Sequence, residues 1–204
     1  MTKSLFTLAI GISFIAPVLA QELAPLEEAQ RGARKVTDVL GTPADAPFSI
    51  TADVTKPQAI KSGPVGLLVI PDKQLTSATL AGLGPNITPI GQLWTLNVSL
   101  GKEGEPVPND QLRFLSVNDG ERDLQVQLYY LGATKGADGK MDLVIYGKGK
   151  EPLLKLPIID AKTAGTQLFP IEISGHKDDD KTGTLSLKLT GNYTTDLTVK
   201  RPAE

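Results

Sequence analysis

The sequence predicts a mainly β fold: an antiparallel sandwich of two sheets, roughly nine strands after one N-terminal helix, with a closed antiparallel barrel as the alternative. Three observations lead there. Apolar and polar residues alternate through most of the chain after residue 47, the two-residue period of a strand half buried in a sheet. Glycine (20 residues) and proline (15 residues) are plentiful, as many tight turns require. The clearest stretch, Leu124 to Val199, reads as one three-strand unit written twice, over 124–157 and 167–200. In the first copy Val126, Leu128 and Tyr130 lead to Gly132, and Met141, Leu143 and Ile145 lead to Gly147. In the second, Phe169, Ile171 and Ile173 lead to Gly175, and Leu185, Leu187 and Leu189 lead to Gly191. The apolar residues stand two, four and six places before each glycine. An internal duplication explains this, and so do two similar meanders in one domain. Both readings give strands.

The 204 residues suffice for one domain with its own core. Residues 1–20 read as a secretory signal peptide: Lys3 supplies the positive start, Leu5 to Ala16 the apolar stretch, and Val18-Leu19-Ala20 a small-residue cleavage site before Gln21. The expected destination is export, to a periplasm, an envelope or the medium. No later stretch is long and apolar enough to span a bilayer as a helix. Residues 21–47 read as a helix and a linker. Leu26, Ala29, Ala33, Val36 and Leu40 share one helical face, Pro25 suits the start, and Gly41 with Pro43 stops it. The simplest role for this helix is packing on the domain; the functional alternative is docking to a partner or a membrane surface.

Residues 48–204 form the expected β domain. Phe48, Ile50, Ala52 and Val54 alternate as a first strand, ended by Pro57. Val65 to Ile70 is a continuous apolar run between Gly63-Pro64 and Pro71, which predicts a strand buried on both faces. Thr76 to Gly82 reads as one or two helical turns capped by Thr76. Ile90, Trp94, Leu96, Val98 and Leu100 share one parity and predict a single strand. Leu112 to Val117 is another, and Asn118-Asp119-Gly120 turns it into the first repeated unit.

Composition excludes more chemistry than it suggests. The formal net charge of −2 gives no general basic field for nucleic acid. The absence of cysteine excludes disulfides, thiolate metal sites and a cysteine nucleophile, and the single histidine, His176, excludes zinc sites built on several histidines. His176 follows Ser174-Gly175 beside a charged loop, no nucleophile elbow is present, and a solvated loop histidine is the expectation. The run Asp178-Asp179-Asp180 is a candidate Ca²⁺ site, since calcium takes several oxygens from one loop. Lys177 and Lys181 flank it and favour a solvated hairpin tip. Glu172, Asp142, Asp123 and Asp53 lie on expected strands and would serve glycoside hydrolysis only if two faced each other across a cleft. The turn Lys148-Gly149-Lys150 lacks interleaved aromatics and reads as a solubilising turn. Asn86, Asn97 and Asn192 begin glycosylation sequons. No cofactor fingerprint occurs, and no cofactor is expected.

The reading is an exported, non-catalytic β protein that interacts with a protein or a surface. Trp94, Tyr129 and Tyr193 are the candidates for contact with a glycan. A carboxylate-based glycan hydrolase and a structural envelope component are the alternatives.

Overall fold

The computed structural model describes residues 22–41, 43–161 and 167–201. The expected signal peptide, at residues 1–20, lies outside them. The protein is mainly β, 51% strand, more than twice the share in an ordinary domain, with few helices. In chain order the elements are β1 (Glu22–Leu23), α1 (Leu26–Leu40), β2 (Gln58–Ser62), β3 (Val65–Pro71), α2 (Ser77–Ala81), β4 (Thr88–Leu96), β5 (Ser99–Lys102), β6 (Glu105–Pro106), β7 (Arg113–Asn118), β8 (Asp123–Lys135), β9 (Met141–Tyr146), β10 (Pro152–Asp160), β11 (Ile171–Lys177), β12 (Thr182–Leu189) and β13 (Tyr193–Lys200).

These thirteen strands among the described residues make one antiparallel sheet curled into a half-barrel. The order along it is β1-β2-β3-β4-β8-β9-β10-β13-β12-β11, with β7 paired to β8, β5 to β13 and β6 to β5. The two separate sheets of the expected sandwich are not seen, because β10 passes the ladder to β13 through Ile159 opposite Thr194 and Asp160 opposite Tyr193. Closure into a barrel also stops short. At the far end β11 meets β2 through a side chain, the Ile173 N–H donating to Gln58 Oε1 at 2.8 Å. The two repeated units are both three-strand meanders, β8-β9-β10 and β11-β12-β13, and they join through their last strands.

The curl makes two cores. The inner one gathers Leu67, Val69, Leu93, Tyr129, Leu131, Leu143, Ile145, Leu185, Leu187 and Leu197 from both halves of the sheet. The outer one, with Ile70, Trp94, Leu128 and Tyr130 at its centre, is covered by Ala33 and Val36 of α1 and by the segment from Ala46 to Val54. β3 is therefore buried on both faces, as its continuous apolar run predicts: Val69 faces in and Ile70 faces out.

Two expectations are corrected in ways that shape the outer face. No strand forms over Phe48–Val54. One isolated bridge joins Ala52 to Asp72, and the backbone N–H of Thr51 donates to the Asp72 carboxylate at 2.7 Å. The segment keeps its apolar side chains on the core, and the backbone bonds Asp53 N–H to Pro71 O and Lys73 N–H to Thr51 O, each 2.8 Å, flank the bridge. The expected single strand from Ile90 to Leu100 breaks at Asn97, whose φ is +57° and whose amide donates to Pro64 O at 2.8 Å. A register shift between Pro89 and Gly91 adds a second irregularity. Residues that share one parity in the sequence are thereby divided: Trp94 lies in the outer core, while Ile90, Val98 and Leu100 lie in the inner one.

Helix α1 starts later than expected, with Pro25 as N-cap (φ −52°, ψ 142°). Glu27 and Glu28 occupy the first turn, where the helix dipole favours anions. The short helix α2 is capped as expected, the Thr79 N–H donating to Thr76 Oγ1 at 3.1 Å.

Candidate functional site

Helix α1 crosses the outer face from β2 to the β7–β8 hairpin. The Ala24 N–H donates to Ala59 O at 2.9 Å at one end, and Lys35 Nζ donates to Asp119 O at 2.9 Å at the other. Between these anchors the helix faces the sheet with small side chains. Ala29, Ala33 and Val36 are its only buried residues. A helix packed on a sheet normally fills the space between them with interdigitated side chains at the density of a crystal. Alanine and glycine are too short to fill that space here, and an open groove of about 350 Å³ remains. Its floor is Leu68, Trp94, Leu96 and Val126. The volume lies within the range of small-molecule sites, roughly 300–1,000 Å³.

Glycine contributes on both walls. Gly32 stands in the middle of α1 and Gly66 in β3, and neither has a positive φ. A Cβ on Gly32 would come no nearer than 3.7 Å, to Leu68 Cδ2, and one on Gly66 no nearer than 3.5 Å, to Leu96 Cβ. Both are ordinary contacts, so neither position demands glycine. Gly132 and Gly147 differ: a Cβ would lie 2.6 Å from Ile87 Cγ2 at the first and 2.3 Å from Gln111 O at the second. Replacing Gly32 with alanine is therefore expected to stabilise the protein by about 1 kcal/mol, the usual difference in a helix interior. Urea unfolding measures it; a lower midpoint would show that the groove has no room for a methyl group.

The rim is charged. Glu28, Arg31 and Lys35 line it from the helix, with Lys61 and Asp119 opposite. Glu28 and Lys61 form an ion pair. The Asp119 carboxylate turns into its own hairpin, accepting the N–H groups of Glu121 and Arg122, each at 2.9 Å. Those two bonds hold its carboxyl below the usual range. Lys35 Nζ donates hydrogen bonds to the carbonyls of Asn118 and Asp119, and its charge adds to the pull that holds the Asp119 carboxyl down. Arg31 is exposed and makes no ion pair among the described residues.

The residues singled out from the sequence do not gather at one site. Tyr129 is fully buried in the inner core, its hydroxyl donating to Gln127 Oε1 at 2.8 Å, so it offers no glycan platform. Tyr193 is half-buried and packs against the same core. Trp94 is 2% exposed, with its indole N–H donating to Gln92 Oε1 at 3.1 Å. It forms part of the groove floor instead of an exposed stacking surface.

The carboxylates of Asp178, Asp179 and Asp180 turn to separate partners. Asp178 lies 2.9 Å from His176 Nε2, Asp179 accepts the N–H groups of Lys181 and Thr182, and Asp180 pairs with Lys177 at 2.5 Å. No group of three or more metal-ligating residues forms among the described residues. Across their ladders Asp123 pairs with Asn118, Asp142 with Thr134 and Pro157, and Glu172 with Lys188, while Asp53 accepts from Thr55. None of these pairings opposes two carboxylates. Asn86, Asn97 and Asn192 are exposed. The one signal in the sequence that marks the groove is the small-residue face of α1 with Gly32 inside it, a poor composition for docking to a membrane and the right one for leaving space.

No protein family, curated protein or solved structure matches the chain.

Proposed function

We propose that the protein is exported and non-catalytic, and that it binds a small apolar guest in the groove under α1. Export rests on the leader-like residues 1–20, and the binding role on the groove itself: an open apolar space with a charged rim, bounded by two glycines that the backbone does not require. Of the aromatic candidates for a glycan, Trp94 and Tyr129 are buried and Tyr193 is half-buried, and a carboxylate hydrolase lacks a cross-strand pair of carboxylates among Asp53, Asp123, Asp142 and Glu172. A small guest in this groove takes the place of the protein or surface partner expected from the sequence.

The test uses Trp94, the only tryptophan in the chain and part of the groove floor. Titrating the purified protein with a neutral solvatochromic dye such as Nile red is expected to give saturable, one-site binding. Energy transfer from Trp94 should accompany it. Gly32→Leu should abolish both signals while leaving the unfolding midpoint at or above that of the parent. Dye binding that survives Gly32→Leu unchanged, or does not saturate, would remove the groove from consideration.

A further inference from the structure

We infer that the guest is a single apolar chain ending in a carboxylate, its chain laid over Leu68, Trp94 and Leu96 and its head held by the cations of the rim. The inference rests on the groove being a binding site and goes on to specify what fills it. Shape supplies the first half. The helix rises 1.5 Å per residue, so Glu28 and Lys35 stand about 10 Å apart along the groove. A space of about 350 Å³ beside that length of helix has room for a flexible hydrocarbon chain. At about 30 Å³ per water-sized group it has room for roughly a dozen such groups.

Charge supplies the second half. Five ionised side chains surround the opening: Glu28, Arg31, Lys35, Lys61 and Asp119. The two anions are already engaged, Glu28 by Lys61 and Asp119 by the N–H groups of its own hairpin. Of the three cations, Lys61 is spent on Glu28. Lys35 donates to two carbonyls and stands close enough to the Asp119 carboxylate to help hold it ionised, whereas Arg31 makes no ion pair among the described residues. Glu27 stands one turn before Arg31, yet an exposed pair at that spacing is worth only about 0.3–0.5 kcal/mol and would yield to a better anion. The field left at the opening is therefore positive. A planar carboxylate matches the guanidinium fork of Arg31 in two parallel hydrogen bonds.

Gly32 and Gly66 fit the same picture. Each sits where a methyl group would meet only ordinary contacts, and each keeps open the floor or wall along which a chain would lie.

The experiment compares three ten-carbon chains below their micelle concentrations, decanoate, decanol and decyltrimethylammonium, each followed by Trp94 fluorescence and calorimetry. Decanoate is expected to bind roughly ten-fold more tightly than decanol, the scale of a charge-assisted hydrogen bond, and decyltrimethylammonium most weakly. Arg31→Gln should remove most of the preference for decanoate and leave decanol unchanged. Added salt should narrow the gap, and so should lowering the pH below about 4, where the guest carboxyl is protonated. Equal binding of decanoate and decanol, or a preference that survives Arg31→Gln, overturns the inference while the groove remains a binding site. Failure of all three chains overturns the groove reading together with it. Co-sedimentation with phosphatidylglycerol vesicles, without binding of free decanoate, would assign the positive rim to a membrane surface and overturn the inference as well.

Discussion

Replacing Gln127 with leucine is expected to destabilise the fold by about 3 kcal/mol or more, since each buried polar group left without a partner costs about 1–3 kcal/mol. Gln127 is 6% exposed, and its Oε1 accepts from Tyr129 OH at 2.8 Å, Ser99 Oγ at 2.9 Å and Thr95 Oγ1 at 3.2 Å. The Tyr129 oxygen in turn accepts the Leu100 N–H at 3.2 Å. One carbonyl oxygen thus ties three strands together, β4 and β8 through the ladder face and β5 through Ser99 and Leu100. It does so beside Asn97, where the β4 backbone breaks and turns inward. Leucine nearly matches the volume of glutamine, so the loss comes from the stranded hydroxyls and not from a cavity. Urea unfolding should show a lower midpoint at unchanged slope. The companion variant Gln127→Leu/Thr95→Val/Ser99→Ala, which keeps the Tyr129 hydroxyl on the Leu100 N–H, should recover part of the loss, because removing both sides of a buried hydrogen bond is far less harmful than removing one. A single-variant loss below about 1 kcal/mol would mean that the three hydroxyls find other acceptors, and the network would then not be what fixes the β4–β5 corner.

Gln127 also shows where the sequence stops being readable. Alternation places Val126, Leu128 and Tyr130 on one face and leaves Gln127 and Tyr129 to the other, which reads as solvated. The existence of β8 is correct on that basis, and the apolar face is correct too. β8 lies at the centre of the curled sheet, however, so both of its faces are buried, and a polar residue on the second face must find partners inside. Alternation reports the local period of a strand and carries nothing about which strand lies beside it. That is why the meanders are legible and the join between β10 and β13 is not. Phe48 to Val54 shows the reverse case: a strand-like period that yields one bridge, with backbone bonds to Pro71 and Lys73 and the Asp72 carboxylate taking the Thr51 N–H.

Glycines mislead for a related reason. Gly191, with φ +79°, does end its strand in a turn, as the spacing suggests. Gly132 lies inside β8 and is glycine because Ile87 and Phe48 press on it. The groove is the hardest feature to foresee. Leu26, Ala29, Ala33, Val36 and Leu40 read as one packing face, and only the sheet opposite shows the unfilled space beneath its small residues.

A loss of stability is expected between pH 10 and 12, and Tyr129 is its principal cause. Burial pushes the Tyr129 hydroxyl up to about 12, against the opposing pull of the Leu100 N–H and the Ser99 and Thr95 hydroxyls. In the unfolded chain it ionises near 10. Across that window the unfolded state releases a proton that the folded state retains. Stability therefore falls as pH rises, by about 1.4 kcal/mol per unit and roughly 2–3 kcal/mol in all. Burial also raises Tyr130 and Tyr146, which act in the same direction. Below about pH 9 all three are largely neutral in both states, and the effect vanishes. Denaturant midpoints measured from pH 9 to 12 should trace this decline, and Tyr129→Phe should flatten it while lowering stability at neutral pH through the orphaned Leu100 N–H. A midpoint that stays level to pH 12 would mean that solvent reaches Tyr129 in the folded state. Trp94 lies on the opposite face of the sheet, under α1, and its emission adds a second reading. If sheet and helix unfold together, the Trp94 signal and tyrosinate absorbance should change at the same pH. An earlier change at Trp94 would show α1 lifting from the groove while the inner core is still intact, which is the motion a guest would need in order to enter.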